Sequence, residues 1–505
     1  MEKDKPWTVL SKGEQQPRVR RKEINRQQLL LRPVEVEKLV DLDHPVRAIW
    51  ELVGRLNLEP FCAEIESVEG VAGRPVWDPA LLISLWIYAC KDGVSSAREI
   101  ARLCEYHPAY QWLTGLEVVN YHTLADFRIR HKEALDQLFI EVLGVLSHEG
   151  LITLERVMHD GTKVKACASS KSFRRKATLE DHLRLAREQV EQMGDPELEE
   201  SSQRVAKARQ RALREKRERL EEALKQLEQI KASRSKEKEK VRASSTDPEA
   251  RIMLQANGAY GPAYNLQIST DAPSKIIVGV GVTQASADAA ELEPAVDRVE
   301  TNLGQRPKQV VVDGGFTNQA TMEAMTEKQV DMIGSLPERS GVAPNRLEQR
   351  GVSLDFYPQA FAYDGNADCY RCPAGKVLVY ETQERQGATL RHRYRAKASG
   401  CRVCEFQAQC CPGTKRGRSL VRSEATPEVV AFQAKMETLE AQAIYKQRAG
   451  VAEFPNAWIK DKIGLRQFRL RGLAKVTLES LWACLTYNIC QWIRLCWKPQ
   501  QLAST

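Results

Sequence analysis

The chain has 505 residues, 42% hydrophobic and 28% charged, with a net charge of +8. That length suits two or three domains with sizeable cores, and the composition excludes a disordered, collagen-like or small disulfide-framed chain. The modest basic excess favours polyanionic partners without naming one.

Met1-Glu2-Lys3-Asp4-Lys5 carries no apolar signal region, and residues 1–32 read as a basic, flexible entry segment. Residues 33–145 read as several short helices. Ser95-Ser96 predicts an N-cap before Arg98-Glu99-Ile100-Ala101-Arg102-Leu103-Cys104, whose apolar positions recur at helical spacing. With His107-Pro108 and further helices behind it, this stretch suits either a helix-turn-helix on DNA or an ordinary helical bundle. The apolar run Ala80 to Cys90 is too short to span a bilayer. Leu481 to Trp497 is interrupted by Thr486, Asn488, Gln491 and Arg494 and predicts a packed helix.

Val157-Met158-His159-Asp160-Gly161 reads as a strand ending in a carboxylate. His159 is expected on the opposite face from its neighbour. Between 171 and 245 the character changes. Leu179, Leu183, Ala186, Val190 and Met193 form one heptad seam, and Leu213, Leu220, Leu224, Leu227 and Ile230 a second. Gly194-Asp195-Pro196 breaks them, which predicts an inserted helical hairpin. Residues 201–245 hold 15 Lys and Arg against 7 Asp and Glu. A solvated face explains part of that excess, but its concentration favours DNA phosphates, with Arg209, Arg211, Arg214 and Arg217 as candidates.

Tyr264 to Ser269 and Ile276 to Val282 read as strands, and Glu291 to Leu303 as a helix with Leu292, Val296 and Val299 on one face. Val310-Val311-Val312 leads into Asp313 and the tight turn Gly314-Gly315, before a helix from Asn318 to Lys328. This order predicts a mixed α/β sheet with a crossover. Near the end, Tyr445, Arg448, Glu453 and Lys460 lie in a stretch of helical composition. Arg466-Gln467-Phe468-Arg469-Leu470-Arg471-Gly472 adds a basic-aromatic segment suited to a DNA backbone or a flipped base. Carboxylates at strand ends and on a helix (Asp160, Asp313, Glu453) suit a hard divalent cation. A pair of such ions can clamp both reacting oxygens of a phosphodiester.

The chain has 13 cysteines. Cys62, Cys90, Cys104, Cys167, Cys484, Cys490 and Cys496 are scattered, mostly among apolar neighbours, and read as small core residues. The others cluster as Cys369-x-x-Cys372, Cys401-x-x-Cys404 and Cys410-Cys411, the pattern of a structural zinc site. Leu378-Val379-Tyr380 and Arg391-His392-Arg393-Tyr394 between the knuckles suit a short hairpin.

Several of these stretches together resemble a known family. They are Asp43-His44-Pro45-Val46-Arg47, Trp77-Asp78-Pro79, Ser95 to Arg102, His122-Thr123-Leu124 with Phe127-Arg128, His159-Asp160-Gly161-Thr162, Thr246-Asp247-Pro248-Glu249-Ala250-Arg251, Tyr264-Asn265-Leu266-Gln267, and Val312-Asp313-Gly314-Gly315-Phe316. In this order, with the cysteine segment and the Arg448, Glu453, Lys460 block, the chain resembles a DDE-type insertion-sequence transposase. The resemblance implies a ribonuclease-H-like catalytic core at 150–170 and 246–345, completed by helical residues 426–498. It further implies a helical DNA-binding domain at 33–145, a hairpin inserted at 171–245 and a zinc-ribbon-like insertion at 346–425.

The resemblance also implies that Asp160, Asp313 and Glu453 are catalytic and hold two Mg2+ or Mn2+ ions, with Arg448 and Lys460 on DNA. Zinc would be held by Cys372, Cys401, Cys404 and Cys410, with Cys369 competing with Cys410 for one place. The implied activity is cleavage and strand transfer on double-stranded DNA, at transposon ends and target, by a homodimer or higher assembly in the bacterial cytoplasm. The alternative is a catalytically silent, transposase-derived DNA-binding protein. One departure stands out: four residues separate Arg448 from Glu453 where the family pattern has three. On one continuous α-helix this turns Arg448 by roughly 100°.

Overall fold

The computed structural model describes residues 27, 33–63, 65, 75–191, 200–233, 238–335, 347–386, 389–423 and 426–499. The entry segment, apart from Gln27, and the Gly194-Asp195-Pro196 break lie outside them. The protein is mixed α/β.

The N-terminal part contains α1 (Pro45–Val53), α2 (Glu59–Cys62), α3 (Pro79–Lys91), α4 (Ala97–Tyr106), α5 (Pro108–Thr114), α6 (Tyr121–Arg130) and α7 (Lys132–His148). Pro45, Pro79 and Pro108 each open a helix, where a missing N–H costs nothing. The side chains of His44, Asp78 and His107 before them accept from the backbone N–H two residues on. The paired residues noted in the sequence are therefore helix starts. Ser96 flanks α4 as expected, but its hydroxyl makes no capping bond. Nearly all of α3 is buried, from Leu81 through Cys90.

β1 (Arg156–Lys165) opens the central sheet. The chain then leaves it. β2 (Phe173–Arg174) pairs with β3 (Ala243–Ser244) at the base of a hairpin formed by α8 (Lys176–Glu191) and α9 (Glu200–Ser233). Leu179, Leu183 and Ala186 meet Leu220, Ala223 and Leu227 in a small core of their own. The sheet resumes with β4 (Arg251–Leu254), β5 (Tyr260–Asp271), β6 (Ile277–Thr283), α10 (Leu292–Leu303), β7 (Gln309–Val311), α11 (Gln319–Glu327) and β8 (Asp331–Ile333). Its order is β4-β5-β1-β7-β8, with β6 beside β5. β5 runs antiparallel to β1, β4 and β6, whereas β7 runs parallel to β1 and β8.

A second, five-stranded antiparallel sheet follows, larger than the short hairpin expected. Its elements are β9 (Ala362–Asp364), β10 (Cys369–Arg371), β11 (Val377–Gln386), β12 (Thr389–Ala396), α12 (Ala398–Arg402), α13 (Gln407–Cys410) and β13 (Ser419–Ser423). The chain ends with α14 (Pro427–Met436), α15 (Leu439–Lys446), a π-helical turn over Ala449–Glu453, α16 (Phe454–Asp461) and α17 (Leu473–Leu495).

α17 shares one core with α1, α3 and α7 and with part of the central sheet. Its polar residues are satisfied inside: Asn488 accepts from Ile277 N and donates to Ile277 O, both at 2.8 Å. Its N-terminus is held from a distance by the Thr246-Asp247-Pro248-Glu249 segment. Asp247 accepts from Gly472 N and from the Tyr264 hydroxyl, and Glu249 accepts from Leu473 N. These carboxylates satisfy helix-end donors that would otherwise be orphaned. Among the described residues no helix is long and apolar enough to cross a membrane.

Candidate active site

Asp160 lies in the middle of β1, not at its end. The parallel pairing with β7 stops at Met158↔Val311, so Asp160 sits where its neighbour strand gives out. Asp313 follows two residues after Val311, the last residue of β7, and its charge reaches Asp160. Asp313 accepts from Gly315 N at 2.8 Å in a tight turn. A Cβ on Gly315 would lie 3.0 Å from the Asp313 carboxylate, and one on Gly314 would lie 2.5 Å from Ser335 Oγ. Both glycines thus sit close against neighbouring side chains. Burial pushes the Asp160 carboxyl up to about 6, Arg448 opposes this, and the nearby Asp313 adds to it.

The turn Ala449–Glu453 and α16 cover this region, the π turn packing against β1 and β5. Arg448 Nη1 stands 3.9 Å from Asp160 Oδ1. Asn456 Nδ2 donates to Asp160 Oδ2 at 3.0 Å, and Lys460 Nζ donates to Thr162 Oγ1. Burial lowers the Lys460 pKa, with Asp160 opposing it. Arg448 is thus not turned away as expected from a continuous α-helix. A π turn closes over five residues instead of four, so it absorbs the extra residue and returns Arg448 to the face it would otherwise have left. Pro455, just beyond, lacks the N–H needed to continue an α-helical ladder into this turn. Glu453 is exposed, the last residue of the turn.

The other face of β1 carries a second polar group. His159 is buried, with Nδ1 at 2.9 Å from Ser269 Oγ and Nε2 at 2.8 Å from Gln267 Oε1. Burial, with Arg298 nearby, lowers its pKa to about 4, so it is a neutral strand histidine. Gln267 Nε2 donates onward to Asp288 Oδ1, which also receives Asn265 Nδ2 and Lys163 Nζ. Burial alone would raise the Asp288 pKa, but the bonds from Asn265, Lys163 and Gln267 hold it low. A Cβ on Gly161 would lie 2.5 Å from Gln267 Nε2 and 2.6 Å from Asp288 Oδ1. Asp288 and Asn456 went unread in the sequence. Each stands in an ordinary loop or helix context, and only long-range packing brings Asn456 to Asp160 and Asp288 to the opposite face of β1.

Other candidates fall elsewhere. Phe468 is a correction: it is buried against Tyr264, its N–H bonded to Lys165 O, and no base can stack on it. Arg209, Arg211 and Arg214 are exposed on α9, and Arg217 is half-buried there. Cys369 lies on β10 paired with Val379 and Asp364, outside the core that holds Cys372, Cys401, Cys410 and Cys411. Cys404 is half-buried, one turn after Cys401. Burial pushes the Cys410 thiol up to about 12 against the pull of Arg418, and Cys411, Cys372 and Cys401 push it the same way. Cys62, expected in a core, is exposed. Among the described residues no three His, Cys, Asp or Glu side chains are gathered closely enough to hold one ion.

Two family models match the chain. One, described as Transposase domain (DUF772), covers residues 34–130; the other, described as Transposase DDE domain, covers residues 371–493. Glu453 and the clustered cysteines from Cys372 onward fall within the second, whereas Asp160 and Asp313 fall outside both. No curated protein matches the chain. A solved piggyBac transposase synaptic complex with hairpin DNA aligns over 90% of this chain and 82% of its own at 10% identity. Its TM-score of 0.24 is too low to carry weight on the fold. The chain is thus similar to transposase domains at two separate places, its N-terminal helices and its C-terminal part.

Proposed function

We propose that the protein cleaves double-stranded DNA and joins it to a new site, moving an insertion sequence by phosphoryl transfer, with Asp160, Asp313 and Glu453 as its catalytic carboxylates. The observation that carries this reading is Asp160 on β1, with Asp313 near enough to act on its charge, Arg448 beside it and Lys460 bonded to Thr162 of the same strand. The strand order, a three-stranded antiparallel meander followed by two parallel strands around β1, supports a ribonuclease-H-like sheet. Oxygen-only donors suit Mg2+ or Mn2+, which Asp160, Asp313 and Glu453 would hold. When bound, two such ions stabilise charge on the attacking and leaving oxygens.

The chain's own contribution is to place those carboxylates and to meet the phosphates with cations. Arg448 and Lys460 flank Asp160 on one side. The exposed arginines of α9 offer a sequence-independent phosphate contact, and the helices of 33–145 a second DNA-binding surface. A structural zinc ion would fall to Cys372, Cys401, Cys404 and Cys410, of which Cys372, Cys401 and Cys410 line one core. A homodimer or higher assembly on DNA, in the cytoplasm, completes the reading.

A catalytically silent DNA-binding protein is favoured by one observation: Asp160 is engaged by Arg448 and Asn456, and no ion-holding group is gathered among the described residues. A cleavage assay with a duplex carrying the element's ends, in Mg2+ or Mn2+, separates the two. Asp160→Asn, Asp313→Asn and Glu453→Gln should each abolish cleavage while leaving duplex binding largely intact. Wild-type protein that binds the ends but never cuts them would establish the silent reading. In the same binding assay, Arg209, Arg211, Arg214 and Arg217 changed together to Gln should flatten the salt dependence, by about one unit of slope per lost phosphate contact.

A further inference from the structure

We propose that Asn456 is a positioning residue for Asp160, an inference that rests on the active-site reading above and adds to it a group outside the acidic triad. Asn456 lies on α16, three residues after Glu453 and four before Lys460. It is 7% exposed. Its Nδ2 donates to Asp160 Oδ2 at 3.0 Å and to Ala452 O at 3.3 Å. Its Oδ1 is buried without a partner.

That orphaned acceptor fixes the amide orientation. Flipping the amide would set Oδ1 against two acceptors, a carboxylate and a backbone carbonyl, and would strand both. A group needed only to fill this space would be served better by Leu, which is close in size and leaves nothing unsatisfied. The retained amide supplies what Leu cannot, a neutral donor aimed at one carboxylate oxygen. Arg448 approaches the other oxygen at 3.9 Å from the far side of the π turn. Asp160 is thus held from both sides by one helical segment. Arg448 offsets its charge, and Asn456 sets the plane and rotamer without neutralising it. Such support from a neighbouring side chain is what keeps a reacting carboxylate within the narrow geometry that phosphoryl transfer requires.

The test uses the full chain with Asn456→Leu and the smaller Asn456→Ala, and Asp160→Asn as control. Both Asn456 variants should bind duplex DNA within about twofold of wild type. Both should lower kcat for cleavage at least tenfold at unchanged KM, and weaken Mn2+ binding to the DNA-free protein, measured by electron paramagnetic resonance, several-fold. If Asn456→Leu does not fold, Asn456→Ala carries the same expectation, since it removes the donor without adding a charge or an acceptor. Wild-type kcat and Mn2+ affinity in either folded variant, with Asp160→Asn inactive, would overturn the positioning role and leave the active-site reading standing. An active Asp160→Asn would instead remove the active-site reading itself.

Discussion

Asp160 is costly where it stands. Burial raises its carboxyl to about 6 from an ordinary 3.8, despite Arg448. A carboxyl so raised holds its proton more tightly in the folded than in the unfolded chain. Its contribution to stability is present below about pH 4 and is lost as the pH climbs through about 6. Above that the ionised group costs the fold up to about 3 kcal/mol. Asp160→Asn should therefore raise Tm by several degrees at pH 7.5 and by much less at pH 4, even as it removes activity. An equal shift at both pH values in calorimetry would show that ionisation of Asp160 is not the source. Gly161, next along the strand, was read from sequence as part of a motif. Its reason is steric, since Gln267 and Asp288 occupy the space of any side chain there.

The π turn shows how one inserted residue is accommodated between two elements. Arg448 and Glu453 are five positions apart, and an i→i+5 turn brings such a pair to nearly the same angle that an α turn gives a pair four apart. Deleting Gly450, which has open space around it, should convert the turn to ordinary α-helix and keep Arg448 beside Asp160. Cleavage is expected to stay within about fivefold of wild type. Inserting one Ala between Gly450 and Val451 should rotate Arg448 away by roughly 100° and abolish cleavage. A deletion as damaging as the insertion, measured by single-turnover cleavage, would mean that the π geometry itself is required.

Across the molecule, the N-terminal helices and the last described helix are built into one body. α17 packs against the N-terminal helices, while its first turn is capped by Asp247 and Glu249 from the link between hairpin and sheet. The cysteine-bearing sheet has a separate core, including Leu378, Tyr394 and Leu420. If its thiols hold zinc, purified reduced protein should contain about one zinc per chain. Cys401→Ser with Cys404→Ser should release it and melt this sheet before the rest. Metal-free protein by elemental analysis, with an unchanged melting profile, would remove the zinc. Cys411, unread as a partner in the sequence, neighbours Cys401 and Cys410, so Cys411→Ser belongs in the same comparison.

Local patterns carried much of this structure openly. The Pro-led helix starts at 45, 79 and 108, the heptad seam of α8 and α9, the β-branched strands β5 to β7 and the buried run of α17 all follow from short-range periodicity and turn chemistry. Those signals act over a few residues and survive in any tertiary setting that buries their apolar face. The surroundings of Asp160 are of another kind. Asn456 lies 296 residues away from it, and Asp288 is tied to the other face of the same strand through Lys163 on β1 and Gln267 on β5. Phe468 looked like an exposed platform in a basic stretch, yet the pairing of Lys165 with Gln467 draws it into the core. Strand register and helix docking created those contacts, because hydrogen bonding and burial are satisfied over the whole folded chain and no short window of sequence records their outcome.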